Sequence, residues 1–417
     1  MAEVRPLRAL HYDLAAVPSL GDVTSPPYDV IDTGLRRELL ARSSFNVVEV
    51  DLPEAPKGED PYEHAAETLD EWTLAGILTA DREDAVWPMT QEYTAPDGSR
   101  RTRHGILARV RVTEYGPGKV RPHERTQPGP KEDRLRLTRA TRHNMSPIFS
   151  LYAGDAWGAV EEATSAEPWG EVTDTDGTVH RVWRVSDPGV LEAVTEAMAE
   201  SELLIADGHH RYETARTYAD EVGGEGPHRY TLMCLVSLDD PGLTVFPTHR
   251  LLTDLDPSIY EPLGAGLKEL FDVEEVALEK LAPTGEEGVG VFGYVDAHHK
   301  RGYRLRLRDT AALDEGLASR PEAYRRLDAV ILETLVLEGI LGMTEDDIAA
   351  KRGIAYSKGT DDAIARVESG SADCAFLLRP TPVEQVREVA AEGETMPPKS
   401  TYFFPKVLTG LGFNPLS

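Results

Sequence analysis

The segment that most constrains the fold of this chain reads ELLIADGHHRYETARTYADEV and runs from Glu202 to Val222. A short apolar run followed by an amphipathic pattern predicts a strand, a short loop and a helix. Gly208 can take a positive φ and lets another group approach the backbone closely. The first turn of the helix directs backbone N–H groups into the loop, where the helix dipole favours anions. With Arg211, which can hold phosphate through two hydrogen bonds, the loop is typical of a phosphate-binding site.

Three further polar residues leave the loop open to more than one interpretation. Asp207 could cap the helix or act as a carboxylate near the ligand, and His209 and His210 could donate hydrogen bonds to it. A capped helix with surface histidines would have the same sequence. Zinc binding is less favoured, because adjacent histidines diverge on regular structure and the spacings HxH and HExxH are absent. A second pair, His298 and His299, falls where a hairpin turn is expected, and we interpret it as solvated loop.

Short apolar runs alternate with amphipathic segments along the rest of the 417 residues. This alternation predicts an α/β to α+β fold with a mixed sheet and flanking helices. We expect an N-terminal α/β segment at 1–115, a phosphate-binding core at 116–250, and a C-terminal α/β segment with a docked tail at 251–417. The expected elements include a strand at 44–53, a helix at Pro61–Ile77, a hairpin at 86–112, a helix at Lys131–Thr141 and a long periodic helix at 323–341.

Charge and composition narrow the classes of partner. The formal charge of −28 repels nucleic acid and anionic lipid, so we expect neither nucleic acid nor a membrane as a partner. No run of about 18 uncharged apolar residues predicts a transmembrane helix, and the N-terminal segment does not have the pattern of a secretory signal. Cys234 and Cys374 lie in apolar runs without a neighbouring histidine or basic residue. They are typical of small buried residues in a cytoplasmic protein rather than of catalytic thiols.

A basic segment stands out against this acidic background. Eight basic residues and three acidic ones lie between Lys119 and Arg142, an excess of five positive charges. The excess favours a site for a polyanion such as a nucleotide or pyrophosphate, with Arg134, Arg139 and Arg142 as candidate ligands. Within the segment, Glu124 could be a general base, kept ionised by the arginines at 121 and 125. The alternative is a solvated basic helix paired with the acidic surface.

Three other motifs are candidate contacts for the substrate. The prolines of TSPPYDVID (24–32) fix a bend from which Tyr28 and Asp29 project, although a structural turn would look the same. In the tail, MPPKSTYFFPK (396–406) carries polar donors in an aromatic, proline-stiffened segment, and simple docking of the tail onto the core is the alternative. The candidate residues of the tail and of PTHR (247–250) are Lys399, Ser400, Thr401, His249 and Arg250. The P-loop, the Rossmann fingerprint and the GxSxG elbow are absent from the sequence.

The motifs SPPYDVI, PHERT, SPIFSLY, ADGHHRYETA, PTHR and MPPKSTYFFPK occur here in this order. The chain is identified through them as a member of a widespread bacterial and archaeal family of uncharacterised domains, often labelled ParB-like, and the resemblance spans nearly the whole chain. The DGHHR loop also resembles the phosphate-binding loop of free serine kinases. Those enzymes share the ParB/sulfiredoxin fold and phosphorylate the hydroxyl of L-serine with a nucleotide or pyrophosphate. The resemblance implies a ParB/sulfiredoxin-like core with additional α/β segments.

The resemblance also implies that residues 207–211 surround the donor phosphates. The catalytic glutamate of those kinases comes from an early segment, for which Glu124 and Asp29 are both candidates here. Sulfiredoxins place a catalytic cysteine directly after the loop glycine, where this chain has His209, so thiol chemistry is not expected. ParB proteins bind CTP at a Gly-Glu-Arg-Arg loop and DNA through a helix-turn-helix, which this sequence does not contain.

Together with these residues, the resemblance implies a small-molecule kinase that uses ATP, ADP or pyrophosphate, with Mg²⁺, to phosphorylate the hydroxyl of a free amino acid such as L-serine. The alternatives are a ParB-like nucleotide-binding regulator without kinase activity, and a structural or partner-binding protein with a vestigial loop. The sequence indicates no metal ligands and does not fix the oligomeric state. The predicted catalytic residues are Glu124, Asp207 and His210; the phosphate-binding residues are Gly208, His209, His210, Arg211, Arg134, Arg139, Arg142 and Lys399; and the substrate-binding residues are Tyr28, Asp29, His123, His249, Arg250, Ser400 and Thr401.

Overall fold

The computed structural model describes residues 2–95, 98–124, 126 and 128–417, and the chain divides into two units. The first comprises Met1–Pro122, Thr126–Thr244 and Pro405–Ser417, and the second comprises His123–Arg125 and Val245–Phe404. The strands are β1 (Val4–Arg5), β2 (Leu10–Tyr12), β3 (Leu78–Ala80), β4 (Trp87–Thr94), β5 (Arg100–Arg111), β6 (Val120–Arg121), β7 (His143–Asn144), β8 (Ile148–Tyr152), β9 (Gly170–Thr173), β10 (Val179–Val182), β11 (Leu203–Asp207), β12 (Tyr230–Ser237), β13 (Thr244–Phe246), β14 (His249–Leu252), β15 (Phe271–Val276), β16 (Val291–Asp296), β17 (Gly302–Leu307), β18 (Ile354–Ser357), β19 (Cys374–Leu377), β20 (Tyr402–Phe404) and β21 (Asn414–Pro415). The helices are α1 (Leu20–Val23), α2 (Thr33–Arg42), α3 (Val48–Asp51), α4 (Pro61–Leu74), α5 (Pro128–Thr141), α6 (Pro188–Met198), α7 (His209–Val222), α8 (Tyr260–Leu270), α9 (Ala311–Gly316), α10 (Glu322–Arg325), α11 (Asp328–Leu332), α12 (Glu345–Ala349), α13 (Thr360–Glu368) and α14 (Val383–Ala391).

A large mixed sheet organises the first unit. Its strands follow the order β6-β11-β8-β12-β5-β4-β10-β9, and β1 pairs with β5. The β11–β6 and β12–β8 pairs are parallel, whereas the β12–β5 and β4–β5 pairs are antiparallel. Ile106, Ile148, Ile205 and Met233 come from four different strands and pack in one buried cluster with Val194 of α6. The mixed sheet with flanking helices that the sequence predicts is confirmed.

The second unit has an antiparallel sheet with a core on each face. Its strand order is β15-β17-β16-β19-β14-β18. Phe376 packs on one face with Leu332, whereas its neighbour Ala375 packs on the other with Val367 of α13. Successive side chains of a strand point to opposite faces, so β19 (CAFL), buried on both faces, is a continuous apolar run.

The predicted segments 1–115 and 116–250 both supply strands to the sheet of the first unit, for example β5 and β11. The last residues, Pro405–Ser417, also belong to that unit, and β21 pairs with β7. The structure therefore groups the chain into two units that each combine distant stretches of sequence. The predicted β4–β5 hairpin is confirmed, although Pro96 and Asp97 of its predicted turn lie outside the described residues.

Two predicted elements are wrong. The apolar stretch predicted as a strand at 44–53 contains the short helix α3, because Asn46 Oδ1 accepts a hydrogen bond from Val48 N (3.0 Å) and starts a helical turn. The periodic helix predicted at 323–341 is broken into α10, α11 and a π-helical turn at Glu333–Glu338. Asp328 lies at the break, where its carboxylate accepts hydrogen bonds from Gly290 N and Arg379 Nε at 2.7 and 2.6 Å. The hydrophobic periodicity of a segment carries no information about such tertiary hydrogen bonds.

Candidate functional site

The loop predicted to bind phosphate joins β11 to α7, and the predicted strand, loop and helix are confirmed. The pairing of β11 with β8 shifts register between Ile205 and Asp207, and such a bulge changes the direction of the side chains that follow it. Gly208 then adopts φ 98° at the N-cap of α7, a left-handed conformation that favours glycine. Since glycine has no side-chain acceptor, Gly208 itself supplies no side-chain cap at the positive end of the helix dipole.

Two cations hold the Asp207 carboxylate at the end of β11. Lys406 Nζ lies 2.8 Å from Oδ1, and Arg211 Nη2 lies 2.8 Å from Oδ2. Burial opposes ionisation, but Lys406 and Arg211 outweigh it and hold the pKa of Asp207 well below its usual range. A carboxylate held so firmly in its ionised form binds protons weakly. The two ion pairs therefore disfavour the catalytic-base role predicted for Asp207.

The guanidinium of Arg211 folds back onto its own loop. Nη1 donates to Ser146 Oγ (2.7 Å) and to the Pro147 carbonyl, while Nη2 donates to Asp207. A Cβ added at Gly208 would lie 3.0 Å from this guanidinium. Since internal partners occupy both terminal nitrogens, the two-bond grip on phosphate predicted for Arg211 is disfavoured. The side chain instead fixes the shape of the loop around the helix N-terminus.

His209 and His210 form the first turn of α7, but their environments differ. His209 is buried and lies within electrostatic range of Asp207, whereas His210 is half-buried. An imidazole that remains partly accessible can still meet a ligand at the helix N-terminus. The geometry thus favours His210 over His209 as a ligand contact.

Tyr28, Arg134 and Arg211, three predicted residues from distant parts of the sequence, line one cleft of the first unit. Arg134 does so as half of an ion pair: its Nη1 lies 3.0 Å from Asp51 Oδ1, and both side chains are about 5% exposed. The same guanidinium lies 4.4 Å from the centre of the Tyr28 ring. Its predicted phosphate contact is therefore replaced by internal contacts. Asp29, beside Tyr28, is exposed.

Sequence reasoning missed Asp51, which also lines this cleft. Burial raises the pKa of Asp51, and the nearby Arg134 and Arg211 only partly oppose that effect. Burial likewise raises the pKa of Tyr28 to about 12. The one available signal was a carboxylate at the end of an apolar run, NVVEVD, which a strand prediction left unexplained.

Most of the predicted basic excess is neutralised within the first unit. Arg139 Nη2 lies 2.6 Å from Glu221 at the surface, Arg121 Nε lies 2.8 Å from Glu202, and Arg136 Nη2 lies 2.8 Å from Asp60. The alternative interpretation, a basic helix paired with the acidic surface, describes this part of the chain better than a polyanion site. Arg142 is exposed at the end of α5 with φ 54°.

The second unit contains seven of the predicted residues. His123 is buried, and its Nε2 lies 2.9 Å from Thr401 Oγ1, so the PHERT and tail motifs meet. Glu124 forms a backbone bridge with Met396, and Arg125, predicted to flank it, lies outside the described residues.

The tail turn that follows uses its own polar groups. Ser400 is buried, and its Oγ donates to the Pro397 carbonyl at 2.7 Å. Lys399 beside it is exposed, with φ 58°. The hydroxyl of Ser400 thus stabilises the turn, while Lys399 remains accessible.

The two residues predicted from PTHR are buried in β14. Burial lowers the pKa of His249 to about 4, and its Nδ1 accepts a hydrogen bond from Leu378 N at 3.2 Å. Arg250 is 1% exposed, and its Nη2 lies 3.3 Å from Glu333. These contacts disfavour the predicted role of both side chains in binding a substrate.

The described donors do not fit the predicted Mg²⁺ as a protein-held ion. In the described part of the chain, no group of three or more His, Cys, Asp or Glu side chains could hold a metal. Asp51 and Asp207 are each paired with cations, which repel a divalent ion.

The sequence predicts neither a catalytic thiol nor a transmembrane helix. Cys234 and Cys374 are buried as predicted, and burial raises the pKa of the Cys234 thiol to about 12. No helix within the described ranges is both long and apolar enough to span a bilayer.

Solved structures similar to this chain are only distantly related. A conserved hypothetical protein from Pyrococcus furiosus is 18% identical, with 70% of this chain and 92% of that chain covered and a TM-score of 0.35. A free serine kinase in complex with AMP is 17% identical, with 70% and 88% covered and a TM-score of 0.35. A mutant of a free serine kinase in complex with ADP is 16% identical, with 70% and 89% covered and a TM-score of 0.35. At TM-scores this low we draw no functional conclusion from the likeness. No curated protein matches the chain.

One family matches most of the sequence. Its description is "Protein of unknown function (DUF1015)", and the match covers residues 4–330. The match includes the DGHHR loop together with Tyr28, Asp51 and Arg134 of the cleft. The ParB-like label remains a prediction from the motifs. The chain belongs to this family of unknown function.

Proposed function

We propose that this protein is a phosphotransferase that moves a phosphoryl group from a nucleotide or pyrophosphate to the hydroxyl of a free amino acid such as L-serine. The observation that carries the proposal is the loop at the start of α7. A left-handed Gly208 opens the backbone at the positive end of a helix, and Lys406 and Arg211 converge on Asp207 beside it. Phosphate oxygens accept hydrogen bonds from backbone amides in such places.

Phosphoryl transfer suits a site of this kind. The reaction depends mainly on positioning and on stabilisation of charge at the phosphoryl oxygens. In the proposed step, the amino-acid hydroxyl oxygen attacks the terminal phosphorus and the bond from phosphorus to the leaving group breaks. The hydroxyl proton passes to a base. We propose His210 as a stabiliser of the developing charge, because it is the more accessible histidine of the first helical turn.

Glu124 is proposed as the base from its sequence motif alone, because it belongs to the second unit and the loop belongs to the first. Asp207, another predicted candidate, is held ionised by two cations and takes up protons poorly. Positioned general bases typically contribute about 10² to 10⁴ in rate. A Glu124→Gln variant should therefore lose turnover by about that factor while its affinity for the donor is retained. Glu132→Gln is the matched control, since Glu132 is an exposed glutamate in the same basic segment.

The test uses the full chain with L-serine, Mg²⁺ and, in turn, ATP, ADP or pyrophosphate. Mass spectrometry of the products should show O-phosphoserine with at least one donor. A panel that includes L-threonine and L-homoserine defines the acceptor. If no hydroxy amino acid is phosphorylated by any donor, the proposal is wrong. Tight nucleotide binding without turnover would instead support the alternative of a ParB-like nucleotide-binding regulator.

A further inference from the structure

The cleft lined by Tyr28, Asp51, Arg134, Ser146 and Arg211 has mostly polar side chains in its lining and a volume of about 40 Å³. A cavity needs only about 10–15 Å³ to hold a water molecule, so this cleft has room for ordered water.

Two buried atoms belong to residues that line this cleft and have complementary chemistry. Asp51 Oδ2 is a hydrogen-bond acceptor and Arg211 Nε–H is a donor, and neither has a hydrogen-bond partner among the described residues. Buried charged groups are costly to leave without partners. Polar cavities of this size normally hold ordered water that makes two to four hydrogen bonds.

We propose that ordered water in this cleft bridges Arg211 Nε to Asp51 Oδ2, which makes Asp51 a positioning residue for the phosphate-binding loop. The inference rests on the proposed function of that loop. Arg211 reaches Asp207 and Ser146 with its terminal nitrogens, so a bridge at Nε fixes the third side of the same guanidinium. The guanidinium lies against Gly208, and its orientation therefore sets the space at the helix N-terminus.

Asp51 is itself held in place by Arg134. Arg134 Nη1 donates to Asp51 Oδ1 (3.0 Å) and to the Asp51 carbonyl (2.7 Å). The same guanidinium lies over the Tyr28 ring. Tyr28 and Arg134, which the sequence predicted as ligand contacts, thereby support the loop through Asp51. A displacement of about 1 Å in such a support can cost about 10²-fold in function.

The test combines pyrophosphate binding with crystallography of the full chain. Asp51→Asn keeps the size of the side chain but removes its charge, and we expect the Kd for pyrophosphate to rise at least about tenfold. The matched control is Asp328→Asn, because Asp328 is a buried carboxylate 2.6 Å from Arg379 in the second unit. Asp328→Asn should lower the Tm about as much as Asp51→Asn does, while its Kd for pyrophosphate stays within about twofold of wild type.

The crystal structures and the Kd for pyrophosphate each test whether Asp51 positions Arg211. A crystal structure of the wild type should show water within hydrogen-bond distance of Arg211 Nε and Asp51 Oδ2, and in Asp51→Asn the guanidinium should change its orientation. An unchanged Kd in Asp51→Asn, or a wild-type cleft without bridging water, would overturn it. If wild-type protein binds neither pyrophosphate nor ADP, the proposed function fails, while the crystallographic comparison still decides whether Asp51 orients Arg211.

Discussion

Asp207 in the first unit and Glu333 in the second are both carboxylates largely withdrawn from water beside an arginine, with 18% and 12% of the side chain exposed. Burial opposes ionisation of both. Lys406 and Arg211, each at 2.8 Å, outweigh it at Asp207 and lower the pKa. At Glu333 the single arginine, Arg250 at 3.3 Å, does not outweigh it, and the pKa is raised.

Burial and ion pairs have opposite effects on the pKa of a carboxyl group. One cation at moderate distance does not offset the desolvation of a carboxylate, whereas two close cations do. The two regions also differ in their surroundings. Asp207 precedes a left-handed glycine at the N-cap of α7, while Glu333 begins a π-helical turn packed into a core. The anchored Asp207 carboxylate lies at a loop and is compatible with ligand binding, whereas the Glu333–Arg250 pair is structural.

The largest effect should follow from breaking the pair in the second unit. Arg250→Met leaves Glu333 buried without its cation, which typically costs about 3–5 kcal/mol of unfolding free energy. Urea denaturation of the purified protein measures the loss. The double variant Arg250→Met/Glu333→Gln should recover at least about half of it, because no charge is left unpaired. A loss below about 1 kcal/mol in the single variant would contradict the comparison.

The second prediction concerns the pH dependence of the unfolding free energy, to which His249 and Asp207 should contribute differently. Burial holds the pKa of His249 at about 4, below its unfolded value of about 6.5, so the unfolded state binds more protons between these values. His249 should therefore remove about 3 kcal/mol of stability as the pH falls from about 6.5 to about 4. Asp207 stays ionised in both states over most of this window and should contribute little slope. Denaturation of wild type and His249→Gln across the window should show a shallower decline in the variant; parallel curves would count against the account.

A third prediction removes one of the two cations at Asp207. Lys406→Met leaves Asp207 with Arg211 alone, as Glu333 has Arg250 alone, and should cost about 1–3 kcal/mol of unfolding free energy. The pKa of Asp207 should rise, which NMR titration of the carboxyl carbon can follow. Lys268→Met, at an exposed position on α8, is the control. An unchanged Asp207 pKa would show that Arg211 alone suffices.

A smaller effect is expected from the glycine of the loop. Gly208 and Gly223, at opposite ends of α7, have φ values of 98° and 68°. Alanine costs about 1–2 kcal/mol in the left-handed conformation of Gly208 and about 1–3 kcal/mol at Gly223, whose ψ of 174° lies in a region essentially confined to glycine, so both Gly208→Ala and Gly223→Ala should lower the Tm. At Gly208 the Cβ would also crowd Arg211, whereas at Gly223 it meets open space, so the loss at Gly208 should exceed the cost of backbone strain alone. A loss at Gly208 of no more than about 2 kcal/mol would indicate that Arg211 is not held against the glycine.

The smallest effect should come from Arg139→Ala. Arg139 is an exposed partner of Glu221, and surface ion pairs are worth about 0–1 kcal/mol. Neither the unfolding free energy nor pyrophosphate affinity should change measurably. A clear loss of affinity would restore the phosphate-binding role that the sequence predicts for Arg139.

Local signals in the sequence were sufficient to find the loop. The apolar run, Gly208 and the amphipathic helix each have a short-range physical cause, and the structure confirms all three. The motifs also identified Tyr28, Arg134 and Arg211, which line one cleft. Their partners were not accessible from the sequence, because partner choice is set by tertiary packing.

The missed residues show the same limit. Asp51 lies in a segment whose sequence predicts a strand. The hydrogen bond that Asn46 Oδ1 accepts from Val48 N instead starts the helix α3, which contains Asp51. Lys406 lies in the tail segment, and nothing local in the sequence links it to Asp207, 199 positions earlier. The charge excess of the basic segment was likewise counted along the sequence, whereas Glu202 and Glu221 neutralise it in space.

The most direct test of the phosphate-binding loop is calorimetric titration of pyrophosphate and ADP into wild type, Gly208→Ala and Gly223→Ala. We predict that wild type binds at least one of them, that Gly208→Ala raises its Kd at least about tenfold, and that Gly223→Ala stays within about twofold. Equal affinities in all three proteins, or no binding by wild type, would contradict the assignment of the loop at Gly208 as the phosphate site.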